Sequence, residues 1–262
     1  MGNANMAKQR TAKKRNFVFY RGPSMIDGAP IIAIATITRS SNEKTGAMVQ
    51  TWILRADMNP IAASRTGADV SICGNCRHRG RYDLLTSTRI DSTRSCYVRL
   101  DTAPNNIWKT ERRGRYLDLS CDLPAAAERV AGKKVRLGSY GDPAAVPFIV
   151  WETFLEHVLG KTGYTHQWLR FPEFAAFCMA SCDTSEERLS AHMLGFRTFR
   201  VASLIAWKKE AGEALCPASE QAGKKTTCID CQACGGNDSK AKADIVIPAH
   251  GGGKRLVTGA AA

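Results

Sequence analysis

The chain has 262 residues, and nowhere in it do 18 apolar residues run together. No transmembrane helix is therefore expected. The opening string MGNANMAKQRTAKKR has no apolar core of the kind a secretory signal carries. Neither GxGxxG nor GxxxxGK(S/T) occurs, so no Rossmann fingerprint and no P-loop supports a nucleotide-binding fold. No internal repeat is visible. Acidic residues are missing from Met1 to Arg21, where six basic residues stand: Lys8, Arg10, Lys13, Lys14, Arg15 and Arg21. Residues 1–16 are expected to be a disordered basic tail. Such a tail contacts nucleic acid or another polyanion, or simply aids solubility.

With these classes set aside, cysteine dominates what is present. Ten cysteines occur, and seven of them fall into two spaced groups. The first group is Cys73, Cys76 and Cys96, in SICGNCRHR and RSCYV. The second is Cys216, Cys228, Cys231 and Cys234, in ALCPAS and TTCIDCQACGG. A chain with no expected leader or span is expected in a reducing cytosol. There such thiols read as ligands or catalytic groups rather than disulfides. The second group is a complete four-ligand set for zinc or an auxiliary [4Fe–4S] cluster. Lys224 and Lys225 are the nearby cations that would offset its thiolate charge. The first group is one ligand short of a structural zinc site, with His78, Cys121 or a residue elsewhere as the missing member. Alternatively, three thiolates hold a [4Fe–4S] cluster and leave one iron open to a small molecule.

The net charge is +13. Between Arg77 and Arg115 there are ten Lys or Arg against four acidic residues. Positive charge thus shares a region with the first cysteine group. This favours an anionic substrate or a nucleic-acid partner, although a solvated arginine-rich loop would look the same.

Hydrophobic patterning divides the remainder. FVFY at 17–20, PIIAIATIT at 30–38 and MVQTWILR at 48–55 read as strands, and 56–115 reads as irregular. Beyond it, strands and helices alternate at short spacing: a helix over 124–132, a strand in KVRLGSYGDP, a helix over 146–160 stopped by Gly160, and a strand over 164–169. A helical turn at FPEFAAF follows, then a strand over 177–183, a helix over 184–195 and a strand over 196–203. This alternation predicts an α/β class with a partial parallel β/α barrel and a cysteine-rich C-terminal segment. The expected divisions are the tail 1–16, a core 17–211 and a metal-binding segment 212–262.

Functional residues of such barrels gather where strands end. Three predicted strand ends carry polar groups. The turn Gly138-Ser139-Tyr140-Gly141-Asp142 would let a ligand approach the backbone, with Asp142 binding an amino or hydroxyl group; an ordinary capped turn has the same composition. His166 is placed to bind substrate or move a proton. Cys182, beside Asp183, is the functional thiol candidate, whereas Cys178 reads as core packing. His250, in IPAHGGGK, belongs to a phosphate-contacting loop or a mobile tail.

The ordered motifs CGNC…SCYV, GSYGDP, GYTHQW, MASCD, CPAS, TCIDCQAC and IPAHG resemble an uncharacterised bacteriophage family, the gene-88-type proteins. Through it they resemble the radical S-adenosylmethionine enzymes of phages and plasmids, over about residues 30–250. The resemblance implies a partial α/β barrel and a host-cytosol location. It also implies a three-cysteine [4Fe–4S] cluster on Cys73, Cys76 and Cys96 that cleaves S-adenosylmethionine reductively. Gly138, Ser139, Gly141 and Asp142 would stand where such enzymes hold the cofactor. Radical enzymes usually carry C-x3-C-x2-C, whereas this chain has C-x2-C-x19-C with Tyr97 after the last cysteine. The rival expectation is a zinc-stapled nucleic-acid-binding protein without catalysis; a third is a barrel whose clusters are only structural.

Overall fold

Continuous apolar runs become buried strands. Three strands open the fold: β1 (Phe17–Pro23), β2 (Pro30–Thr36) and β3 (Val49–Arg55). In β2 all residues after Pro30 are buried, which is why IIAIA shows no alternation. The computed structural model describes residues 16–37, 43–83, 85–205 and 207–257. All of the expected tail except Asn16 lies outside these residues, as does Thr38. Asn16 belongs to the fold, since its side chain accepts from the Ile37 amide at 3.0 Å.

The chain forms a mixed α/β structure with two main sheets. The first has the order β6-β1-β2-β3-β7-β8, with β6 at Leu117–Asp118, β7 at Lys134–Tyr140 and β8 at Gly160–Thr162. Its β1–β2 and β2–β3 pairs are antiparallel, while β1–β6, β3–β7 and β7–β8 are parallel. The second sheet is wholly parallel, in the order β12-β13-β11-β10-β9. Here β9 is Tyr164–Thr165, β10 Met179–Cys182, β11 Thr198–Ala202, β12 Glu213–Leu215 and β13 Asp244–Pro248. Only Gly163 separates β8 from β9. The carbonyl of Gly163 accepts from Met179 and its amide donates to Cys234, both at 3.0 Å, so one extended segment serves both sheets.

Helices α4 (Leu123–Val130) and α5 (Phe148–Leu155) pack together over the first sheet. Trp151 and Phe154 meet Phe19 there, with the Phe19 and Phe154 rings stacked at 4.2 Å. Helix α6 (Ser185–Met193) starts at a capping box formed by Thr184 and Glu187, as its TSEE sequence dictates.

Three expectations change. The stretch 56–115 is not irregular: it holds α1 (Pro60–Thr66), α2 (Val70–Cys73), the hairpin β4–β5 (Tyr82–Asp83, Thr88–Arg89) and α3 (Ala103–Arg112). Asn59 caps α1 through the Ala62 amide and Pro60 sits in its first turn, a start signal that the many arginines obscured. The helix expected over 146–160 ends at Leu155, and Gly160 opens β8 instead of stopping a helix. The described part of the expected segment 212–262 is not separate from the core, because β12 and β13 lie in the second sheet. Among the described residues no helix is long and apolar enough to cross a membrane.

Candidate functional site

The site is built around the end of β7. Gln50 pairs with Arg136 and Trp52 with Tyr140, so Thr51 alone faces Leu137, Gly138 and Ser139. The Thr51 hydroxyl bridges this irregularity, donating to the Arg136 carbonyl at 3.0 Å and accepting from the Gly138 amide at 2.9 Å. Ser139 donates to Gln50 Oε1 at 2.6 Å. Such bulges re-aim side chains beside functional sites. Both turn glycines have positive φ, and a Cβ on Gly138 would meet the Gly141 carbonyl at 2.3 Å, while one on Gly141 would meet Ile53 at 2.7 Å. Close packing within the protein therefore already accounts for both glycines. Asp142 ties two strand ends together. Its Oδ1 accepts from the Ala144 amide at 3.0 Å and its Oδ2 from the His166 amide at 2.7 Å. Burial raises its pKa.

Both cysteine groups open onto one cavity of about 400 Å³ beside this turn. Cys73 ends α2, and Cys76 follows the Gly74-Asn75 turn. Cys96 arrives from the far side of the hairpin, its amide donating to the His78 carbonyl at 3.0 Å. The second group is delivered by β12, which precedes Cys216, and by the short helix α7 (Cys228–Cys231). The loop docks through Lys134 Nζ on the Ile229 carbonyl at 2.6 Å and through the Cys228 amide on the Lys44 carbonyl at 2.8 Å.

Burial governs the thiols. It raises Cys73 far above its ordinary value, with Asp69, Cys76 and Cys96 adding to the effect. It pushes Cys76 up to about 12, and it raises Cys96. In the second group burial pushes Cys234 up to about 12 and raises Cys228, and neighbouring cysteines of that group add to each shift. Each group is thus electrostatically coupled within itself. Arg136, Lys44 and Arg197 are the cations that face the second group, while Lys224 and Lys225 are exposed. Arg136 is the missed residue; its only trace in the sequence is a charge inside the apolar strand KVRLGSY.

The wall of the cavity carries buried polar atoms without hydrogen-bond partners: Tyr140 Oη, Thr162 Oγ1, His78 Nε2, His166 Nε2, His250 Nδ1 and Gln232 Oε1. Native interiors leave few polar atoms unpaired, so water or a polar ligand in the cavity would satisfy them. His250 stacks on Tyr97 at 5.2 Å. Burial, aided by Lys44 and Arg136, lowers its pKa to about 4, so the ring is neutral near pH 7.

His166 lines the cavity, as do Gly138, Ser139, Gly141 and Asp142. Cys182 does not. It lies 1% exposed in the core, and burial pushes its thiol up to about 12; the alternation of β10 turns Ser181 to the cavity instead. Cys178 is core, as its apolar setting implies. Neither proposed extra ligand joins the first group: Cys121 is exposed, and His78 turns toward Asp183. Among the described residues, one set of three His, Cys, Asp or Glu ligand atoms lies within 4.8 Å of one another: His78, His166 and Asp183. Burial alone would raise the Asp183 carboxyl, but His78, His166 and Arg77 outweigh it and hold the group below the usual range.

Compared with protein-family models, curated proteins and solved structures, the chain gives no match.

Proposed function

We propose that the chain is an iron–sulfur protein of the radical S-adenosylmethionine kind, built on an open, partial β/α barrel and acting on an anionic or nucleic-acid-related substrate. The observation that carries this reading is the single cavity shared by two cysteine groups far apart in sequence. Three converging thiols with no fourth cysteine are the donor set of a cluster with one open iron. The segment 160–165, shared by both sheets, supports the barrel reading.

In this reading Cys73, Cys76 and Cys96 hold the reactive cluster, and Cys216, Cys228, Cys231 and Cys234 an auxiliary one. The first cluster, when loaded and reduced by an external electron donor, would supply the electron that cleaves S-adenosylmethionine. The protein's residues do the remaining work. Arg136 and Lys44 offset thiolate charge, Tyr140 and Thr162 offer hydrogen bonds to a polar ligand, and the Gly138–Asp142 turn forms one wall.

Anaerobic iron, sulfide and zinc analysis tests this reading, combined with 5′-deoxyadenosine formation under dithionite. Wild-type protein is expected to be brown and to form the nucleoside. Cys73→Ala, Cys76→Ala or Cys96→Ala each abolish that activity and remove one cluster's iron. Cys231→Ala removes the second metal. Zinc at both sites with no nucleoside formed would sink the proposal and favour a zinc-stapled nucleic-acid-binding protein.

A further inference from the structure

His78 and His166 come from segments nearly ninety residues apart, and Asp183 follows β10. The His78 and His166 rings lie 6.0 Å apart in an edge arrangement. His78 Nε2 stands 3.4 Å from Asp183 Oδ1, and His166 Nε2 stands 4.0 Å from Asp183 Oδ2. These distances are too long for good hydrogen bonds, and both nitrogens are buried without one. They match the separation of two ligands that each lie about 2.1 Å from a shared ion, which is roughly 3.0 to 4.2 Å depending on the angle.

The surroundings orient the donors. His78 Nδ1 and Ser95 Oγ lie 2.7 Å apart. With Nδ1–H donating to that hydroxyl, the Nε2 lone pair is left free to bind. The His166 backbone is held by Asp142. Arg77 Nε lies 3.0 Å from Asp183 Oδ2, and its side chain is 52% exposed.

We propose that His78, His166 and Asp183 form a binding site for one divalent first-row transition-metal ion, independent of whatever the cysteines hold. Two imidazoles and one carboxylate form the donor set that suits such ions and leaves positions open to water or substrate. The site lies between two cavities: His78 and His166 line the cysteine cavity, while His78 and Asp183 line its neighbour, which Arg77 also borders. A bound ion would therefore be reachable from both.

Mn(II) titration of the full-length protein, with free ion counted by electron paramagnetic resonance, tests the site. Mn(II) is chosen because thiolates favour softer ions. The expected result is one Mn(II) per chain, weakened at least tenfold by His166→Gln and by Asp183→Asn. If either variant fails to fold, the other decides. Arg77→Ala should bind Mn(II) at least twofold more tightly, because it removes a competing cation; an ordinary ion-pair cluster predicts no such gain. The proposal is overturned if wild-type protein takes up no Mn(II) at millimolar concentration, or if binding survives both ligand substitutions.

Discussion

Arg136 donates a 2.6 Å hydrogen bond to the Tyr97 hydroxyl. Tyr97 follows Cys96 of the first cysteine group, and Arg136 faces Cys228 and Cys234 of the second. One contact therefore links the two groups through the strand β7. Tyr97→Phe leaves a buried guanidinium short of one acceptor. The expected cost is about 1–3 kcal/mol, read as a lower urea midpoint with an unchanged slope.

Gly141→Ala tests the turn. At φ +86° a Cβ would stand 2.7 Å from the Ile53 Cβ and 2.8 Å from its carbonyl oxygen. Left-handed strain and overpacking together should cost about 3 kcal/mol. Chemical denaturation measures it, and a loss under about 1 kcal/mol would show that β3 yields easily.

Asp244 carries a pH-dependent part of the stability. It accepts from the Thr198 amide at 2.8 Å and from Arg188 at 2.9 Å, and it meets His192 Nε2 at 2.8 Å. Arg188 also reaches Glu210 and Glu213. Burial alone would raise the Asp244 carboxyl, but these partners hold it below the ordinary value. Its stabilisation is therefore complete above the unfolded-state value of about 3.9 and lost as pH falls through the lower folded value. Asp244→Asn should cost about 3 kcal/mol at pH 7. The gap between wild type and variant should close at low pH, and a constant gap would exclude this assignment.

Nucleic-acid binding, if it uses the basic 77–115 region, must be salt-dependent. Arg79, Arg89 and Arg94 are tied internally to Asp69, Asp91 and the Cys96 and Val98 carbonyls. Arg81, Arg112 and Arg113 are exposed. Three phosphate contacts would weaken binding about fortyfold between 50 and 200 mM salt. Filter binding across that range checks this, and salt-independent binding would rule out phosphate contacts.

Local patterns carried much of the fold. FVFY and PIIAIAT are strands because continuous apolar runs require burial on both faces, and TSEERL starts a helix because its cap is local chemistry. The two cysteine groups are legible for the same reason, since their spacing is a property of neighbouring residues. Only the tertiary structure placed those groups on one cavity, set Arg136 between them, turned Cys182 into the core and gathered His78, His166 and Asp183. These relations depend on strand order, on the bulge at Thr51 and on Gly163 linking two sheets. Contacts between distant segments are decided by the packing of whole sheets, and no spacing along the chain encodes them.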